Sequence, residues 1–249
     1  MNRQSGKTEI AKQYSDGEYL QKNKNWHEED SAWKSRQILR ILKDNGLQPG
    51  LIAEVGCGAG QILIELSKHY PSSRFFGYEL SEDAYQICKS KSQENVEFHL
   101  ANILILEKRF DVLLCIDVFE HIENYIEFLR EVSVKAEYCI FHIPLEISIN
   151  SVLRKTLVES RELVGHLHYF TFETAVAALE DAGYEILSTI FTAPFASEGI
   201  PPRTLLTRMI RHPRRLLYRI SPNLLSRTLG GCSLLVLAKN DRYWRAEES

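Results

Sequence analysis

The sequence predicts an α/β protein, a mostly parallel sheet with helices on both faces. Three observations carry this expectation. From Leu51 to Ala238 short apolar segments alternate with amphipathic ones, the rhythm of a parallel sheet whose crossovers are helices. Asp111–Ile116 and Tyr138–Ile143 are apolar almost throughout, as strands covered on both faces are. Leu51–Val55 then runs directly into Gly56-Cys57-Gly58-Ala59-Gly60 and the amphipathic Gln61–His69. A strand that ends in a glycine turn and a helix N-terminus leaves backbone N–H groups free and no Cβ in a ligand's way.

The elements follow in order. Residues 1–24 are polar without a sustained period and are expected to be flexible. Residues 25–240 read as one domain and 241–249 as a tail. From Ser31 the apolar positions Trp33, Ile38, Leu42 and Leu47 predict a helix, capped by Asp30 or Ser31 and stopped by Asn45-Gly46 and Pro49-Gly50. Strands are expected at Leu51–Val55, Arg74–Tyr78, Val96–Leu100, Asp111–Ile116, Tyr138–Ile143, Tyr184–Phe191 and Ser233–Ala238. Helices are expected at Gln61–His69, Ser81–Ser92, Glu123–Val132 and Thr171–Ala182, with Ser81 and Thr171 as caps and Gly183 as a stop. Two connections are too long for this pattern, about 144–170 and about 193–231, and read as helical lid inserts. Within the second, Thr204–Arg211 and Pro213–Ile220 suggest two short helices, with Pro213 starting the latter.

Composition narrows the class. With 249 residues, 44% hydrophobic and 25% charged, the chain suits a soluble globular domain. No run is long enough to span a membrane, and the polar N-terminus gives no secretory signal. Five cysteines, an odd number without paired metal spacing, point to reduced thiols in a cytoplasm. They read as small buried hydrophobes, so neither a zinc site nor any other metal centre nor a catalytic cysteine is expected. The net charge of −3 is unevenly spread: between Gly199 and Asn240 there are seven arginines and one lysine and no acid. Removing those eight from the 30 basic residues leaves 22 against 33 acids, a balance of −11.

The turn's spacing discriminates among ligands. A G-x-G-x-x-G reading fails at Gln61, and no Gly-Lys-Ser/Thr marks a phosphate loop. What remains is Glu54-x-Gly56-x-Gly58-x-Gly60, with a carboxylate that repels pyrophosphate and suits an ammonium or hydroxyls. Glu79 ends the next strand about twenty residues on, where an acid accepts both hydroxyls of a ribose. Asn102 and Ile103 follow the third strand, an amide for an adenine edge and an apolar cover. Asp117-Val118-Phe119-Glu120-His121-Ile122 follow the fourth. The carboxyl ends of open α/β strands share one crevice, so these features converge. Each has a plainer alternative: Glu54 as a cap, Asn102 as a turn residue, Asp117 as a helix-start residue, His121 as a structural hydrogen-bonder.

Together these motifs resemble those of class I S-adenosylmethionine-dependent methyltransferases, over roughly Trp26 to Ala238. The likeness is to the small-molecule branch that includes the ubiquinone-pathway enzymes (types 11, 12 and 23). The resemblance implies a Rossmann-like seven-stranded sheet, mostly parallel with an antiparallel last strand. It implies S-adenosylmethionine as donor and S-adenosylhomocysteine as product. On matching positions it implies a cofactor site of Glu54, Gly56, Cys57, Gly58, Gly60, Glu79, Leu80, Asn102, Ile103 and Asp117. Asn102 stands where the family more often has Asp. Phe119-Glu120-His121-Ile122 and Gly165-His166-Leu167-His168-Tyr169-Phe170-Thr171 resemble further family segments.

A sulfonium already carries an activated methyl, so the protein has to align an acceptor and exclude water. A base is needed only if the acceptor must lose a proton; His121, His142, His166 and His168 are the candidates. Trp26, Trp33 and Lys34, with His166 and His168, are expected to wall the acceptor, or to pack the entry helix. The acceptor expected is a small molecule, anionic or lipid-linked, with Lys34 reaching a carboxylate or phosphate. The basic insert, about 203–227, is read as a solvated helical lid, as a binder of an anionic acceptor or as a contact with an anionic membrane surface. No nucleic acid partner is expected, because one basic cluster on an acidic chain is a poor footprint. The competing functions are a non-catalytic cofactor-binding or assembly protein and, behind it, a nicotinamide-dependent oxidoreductase.

Overall fold

Each strand forms where an apolar run with β-branched and aromatic residues is closed by a turn. In the computed structural model, which describes residues 28–196 and 205–240, seven strands make one sheet in the order β3-β2-β1-β4-β5-β7-β6. They are β1 (Leu51–Val55), β2 (Arg74–Glu79), β3 (Val96–Leu100), β4 (Phe110–Ile116), β5 (Ala136–Leu145), β6 (Tyr184–Thr192) and β7 (Cys232–Asn240). The first five run parallel, and β7 lies antiparallel to both β5 and β6. The expected sheet is therefore present, with its reversed strand inserted between β5 and β6. Strand order reverses between β1 and β4, the place where a crevice opens above an α/β sheet.

The helices are α1 (Glu28–Asp44), α2 (Gln61–Ser67), α3 (Glu82–Lys89), α4 (Tyr125–Val132), α5 (Ile149–Arg154), α6 (Thr156–Val164), α7 (Phe172–Asp181), α8 (Leu205–Ile220) and α9 (Pro222–Thr228). One apolar cluster joins α4 and α7 to one side of the sheet through Phe128, Leu129, Ala175 and Leu179. The other joins α1 and α2 to the opposite side through Ile38, Ile41, Leu42, Leu63 and Leu66. Ser81 and Thr171 cap α3 and α7 as expected, their oxygens accepting from Ala84 N and Thr174 N. All five cysteines are buried thiols. No described helix is long and apolar enough to cross a membrane.

Two expectations need correction. The second insert forms one helix, α8, across the place where two were expected, with Pro213 inside it. Proline removes one backbone donor, but packing holds the helix through the defect: Leu217 and Tyr218 lie against Ala193, Leu225 and Cys232. The entry helix, Glu28–Asp44, contains Asp30 and Ser31, so neither caps it. The first insert is largely helical. β5 extends to Leu145, and α5 and α6 fill most of the rest. Trp26, residues 1–24 and the tail 241–249 lie outside the described residues.

Candidate active site

The glycine turn is built by sterics. Gly56, Gly58 and Gly60 all have positive φ, of 63°, 51° and 75°, a region that costs other residues energy. Gly60 is the tightest: a Cβ there would stand 2.5 Å from Phe98 and 2.9 Å from Cys88. Gly60→Ala is expected to lose about 3 kcal/mol of stability from backbone and packing strain together, readable by urea unfolding. A variant as stable as the parent would mean that Phe98 moves aside freely.

Above the turn opens a cavity of about 1120 Å³, walled by the carboxyl ends of β1, β2, β4 and β5 and by α1. It gathers Glu54, Gly56, Cys57, Gly58, Gly60, Glu79, Leu80, Asn102, Ile103 and Asp117, with Trp33, Lys34, His121, His142 and His166. His168 is not among its walls. Its Nε2 lies 3.0 Å from the Ile122 carbonyl, its ring packs on Tyr125, and it braces the loop instead.

The donor-side residues are held in place. Glu79 accepts from Leu80 N at 2.7 Å, Ser81 N at 2.9 Å and Gly58 N at 2.9 Å. One carboxylate thus ties the first turn to the second, and a lone pair remains beyond these three bonds. Leu80 is 71% exposed over the cavity, an apolar flap. Asn102 serves the turn with its oxygen, which accepts from Leu104 N at 3.0 Å, and it lines the cavity. Ile103 is buried in the core beneath. The Cys57 sulfur packs 2.8 Å from where a Gly77 Cβ would be.

Glu54 is 2% exposed, and its Oε2 has no hydrogen-bond partner. Burial pushes its carboxyl well above the usual carboxylate range, while nearby Lys34 pulls it back and Glu79 pushes it further up. An unpaired buried carboxylate is costly, and a cationic group in the cavity would relieve it.

Asp117 sits just beyond β4 with φ of 54°, a left-handed residue at a strand end. It accepts from Lys34 Nζ at 2.6 Å and from His142 Nδ1 at 2.6 Å. Burial opposes its ionisation, but His142 and Lys34 outweigh burial and hold it well below the usual range. His142 Nε2 meets Thr192 Oγ1 at 3.0 Å, so both ring nitrogens are engaged and this histidine is a strut. Lys34, which the sequence offered to an anionic acceptor, is committed to Asp117. Trp33 is buried edge-on to His142, which agrees with packing of the entry helix.

A second group lies where α6 closes over β5. His166 Nδ1 is 2.6 Å from Glu146 Oε2, and Ser160 Oγ donates to Glu146 Oε1 at 2.6 Å. The rings of His121 and His166 stand 4.7 Å apart. One carboxylate oxygen of Glu120 and one nitrogen of each ring lie within 4.8 Å of one another, a spacing at which three acceptors share one cation. Glu120 has no exposure and no partner for either oxygen. Burial raises its carboxyl well above the usual range, and Asp117 adds to that. His121, whose Nδ1 lies 3.2 Å from the Gly165 carbonyl, is pushed down to about 4, first by burial and then by His166. Glu120 and Glu146 were not singled out by sequence as site residues. Only the pairing of their segments, through Leu167 N and His168 N to the Glu120 carbonyl, brings them together.

The fold and cavity define a class: an open α/β sheet with a reversed β7 and a glycine-lined crevice for a cationic, ribose-bearing ligand. A family model described as a methyltransferase domain matches residues 26–189, and the chain belongs to this family, the class I S-adenosylmethionine-dependent methyltransferases. Two curated relatives are similar over part of their length. A malonyl-[acyl-carrier protein] O-methyltransferase of Bacillus cereus is 31% identical over 101 residues, 39% of this chain and 38% of that protein. A tRNA (guanine-N(7)-)-methyltransferase of Oceanobacillus iheyensis is 32% identical over 96 residues, 38% of this chain and 42% of that protein. The chain thus matches about two fifths of the length of each. Among solved structures, magnesium protoporphyrin IX methyltransferase from Synechocystis with S-adenosylhomocysteine bound is similar in fold. Its TM-score is 0.58 at 17% identity, over 84% of this chain and 83% of that one.

Proposed function

We propose that this protein transfers a methyl group from S-adenosylmethionine to a small-molecule acceptor seated over the ends of β4 and β5. The observation that carries the donor half is the buried, unpartnered Oε2 of Glu54 beside three positive-φ glycines. It is the acceptor that the ammonium of the donor's methionine portion needs. When bound, the donor supplies a methyl made electrophilic by a positive sulfur. Glu79, fixed by three backbone donors, holds the ribose; the NH₂ of Asn102 meets the adenine edge, and Leu80 covers it from water. Asp117, through Lys34 and His142, keeps the β4 end rigid where the methyl is presented. His166, oriented by Glu146, is the base on the acceptor side, and its presence argues against a protein that only binds the cofactor.

Acids dominate the cavity wall, and no arginine lines it among the described residues. A phosphate backbone finds no partner there, which favours a small molecule over a nucleic acid. Calorimetry of the purified protein with S-adenosylhomocysteine tests the donor reading directly: micromolar binding is expected, and a folded protein that does not bind would overturn it.

The basic insert has a different role from a lid. None of its described side chains on α8 lines the cavity. Arg214 and Arg215 donate to the Gly230 and Phe195 carbonyls, and Tyr218 to the Phe191 carbonyl, so the helix is fastened to the β6–β7 hairpin. Leu216, Ile220 and Leu224 remain exposed next to Arg219, in a stretch without acids. This row is proposed to rest on an anionic membrane face from the cytoplasm. Ile220→Asp is expected to cut co-sedimentation with phosphatidylglycerol vesicles by about tenfold. Equal recovery of parent and variant would remove the contact.

A further inference from the structure

The acceptor half of the cavity is lined chiefly by acids. Asp30, Asp117, Glu120 and Glu146 line it, against a single lysine, Lys34, already paired with Asp117. Glu123 stands at the rim. At the floor, Glu120 is wholly buried with both oxygens unpartnered, beside the rings of His121 and His166. The ionised acids of such a wall repel carboxylates and phosphates and attract cations, and Glu120, which burial holds toward its neutral form, gives up its proton more readily beside an arriving cation.

Resting on the methyltransferase reading above, we infer that the acceptor is a protonated amine, methylated on nitrogen, with His166 taking the proton that the amine must lose. The Glu146 carboxylate receives the Nδ1–H of His166 at 2.6 Å, which leaves Nε2 as the nitrogen with a lone pair. An arriving ammonium gives one proton to that nitrogen. Its freed lone pair forms the N–C bond, and the electron pair of the breaking C–S bond stays on sulfur. The methylated amine carries the positive charge away, and the imidazolium returns its proton to solvent. Glu146 and Glu120 both stabilise the imidazolium while it lasts. Burial and His166 depress the proton affinity of His121, so it remains a neutral neighbour and does not compete for the amine's proton.

This reverses the acceptor charge that the sequence suggested. The arginines that prompted an anionic acceptor lie on the outer helix, and none of the described ones reaches the cavity.

The test uses three matched probes, n-hexylamine, 1-hexanol and hexanoate, titrated by calorimetry into the full-length protein loaded with S-adenosylhomocysteine at neutral pH. The amine is expected to bind at least about tenfold more tightly than hexanoate, with hexanol between them. Glu120→Gln and Glu146→Gln are each expected to narrow that ratio to within about threefold while leaving S-adenosylhomocysteine affinity unchanged. Hexanoate binding as well as the amine would overturn the inference, and this comparison needs no variant. Micromolar binding of Mg²⁺, Mn²⁺ or Zn²⁺ that expels the amine would overturn it too, by giving the floor to a metal ion. Failure of S-adenosylhomocysteine to bind would strike the donor reading alone, since the probe ranking can still be measured on the unloaded protein.

Discussion

Glu79→Ala is expected to weaken binding of S-adenosylhomocysteine about 100-fold, through the loss of a charge-assisted bond to the ribose and of the acceptor that orders the turn. The residue acts twice. Its carboxylate lines the cavity, and it also gathers the N–H groups of Gly58, Leu80 and Ser81. Alanine would leave the Gly58 and Leu80 turns without their common acceptor and loosen both. Glu79→Gln keeps one carbonyl acceptor for the backbone and is expected to bind more tightly than the alanine variant. Titration calorimetry of the three proteins separates the two roles. If Glu79→Ala bound within about threefold of the parent, the residue would have no part in the site.

Asp117→Asn is expected to destabilise the protein by about 2–3 kcal/mol at neutral pH, because Lys34 loses its counter-charge in a largely buried place. Asparagine tolerates the left-handed backbone there, so the charge is removed with little strain. The pH dependence follows from the shifts. Asp117 is held below its ordinary range, so its stabilisation is complete above about pH 4 and fades as pH falls further. Lys34 is raised despite its burial, chiefly by Asp117, so its share is complete below about pH 10 and fades above that. Urea midpoints should differ most between parent and variant from pH 5 to 9 and converge toward pH 2. A constant difference at all pH values would mean that the pair contributes no charge-dependent stability.

What was legible in the sequence was local. Leu51–Val55, the glycine turn and the Ser81 and Thr171 caps are each encoded within a few residues, and the structure places them as read. The reversed β7 was legible only through the family resemblance. Charge pairing was not legible. Lys34 and Asp117 are 83 positions apart, and nothing in either segment says that the lysine is spent internally. The four histidines looked alike as bases. Their partners separate them: His142 lines the cavity with a carboxylate behind it but is engaged at both nitrogens, His168 faces two carbonyls, and His166 lines the cavity with only its Nδ1 on the Glu146 carboxylate. Pro213 was misleading for a related reason, because a helix boundary read from one residue ignores the packing that Leu217 and Tyr218 supply.

The five buried thiols make the protein its own reporter of breathing motions. Cys57 belongs to the glycine turn and Cys88 lies against it, whereas Cys115 and Cys139 lie in the central strands and Cys232 at the base of the hairpin. A small alkylating reagent reaches each sulfur only when its surroundings open, so the labelling rate measures the local opening free energy. Ligand that clamps the turn should slow Cys57 and Cys88 selectively, while a surface that grips α8 should slow Cys232. One mass spectrum per time point would then tell donor occupancy apart from docking of the outer helix, without any engineered probe.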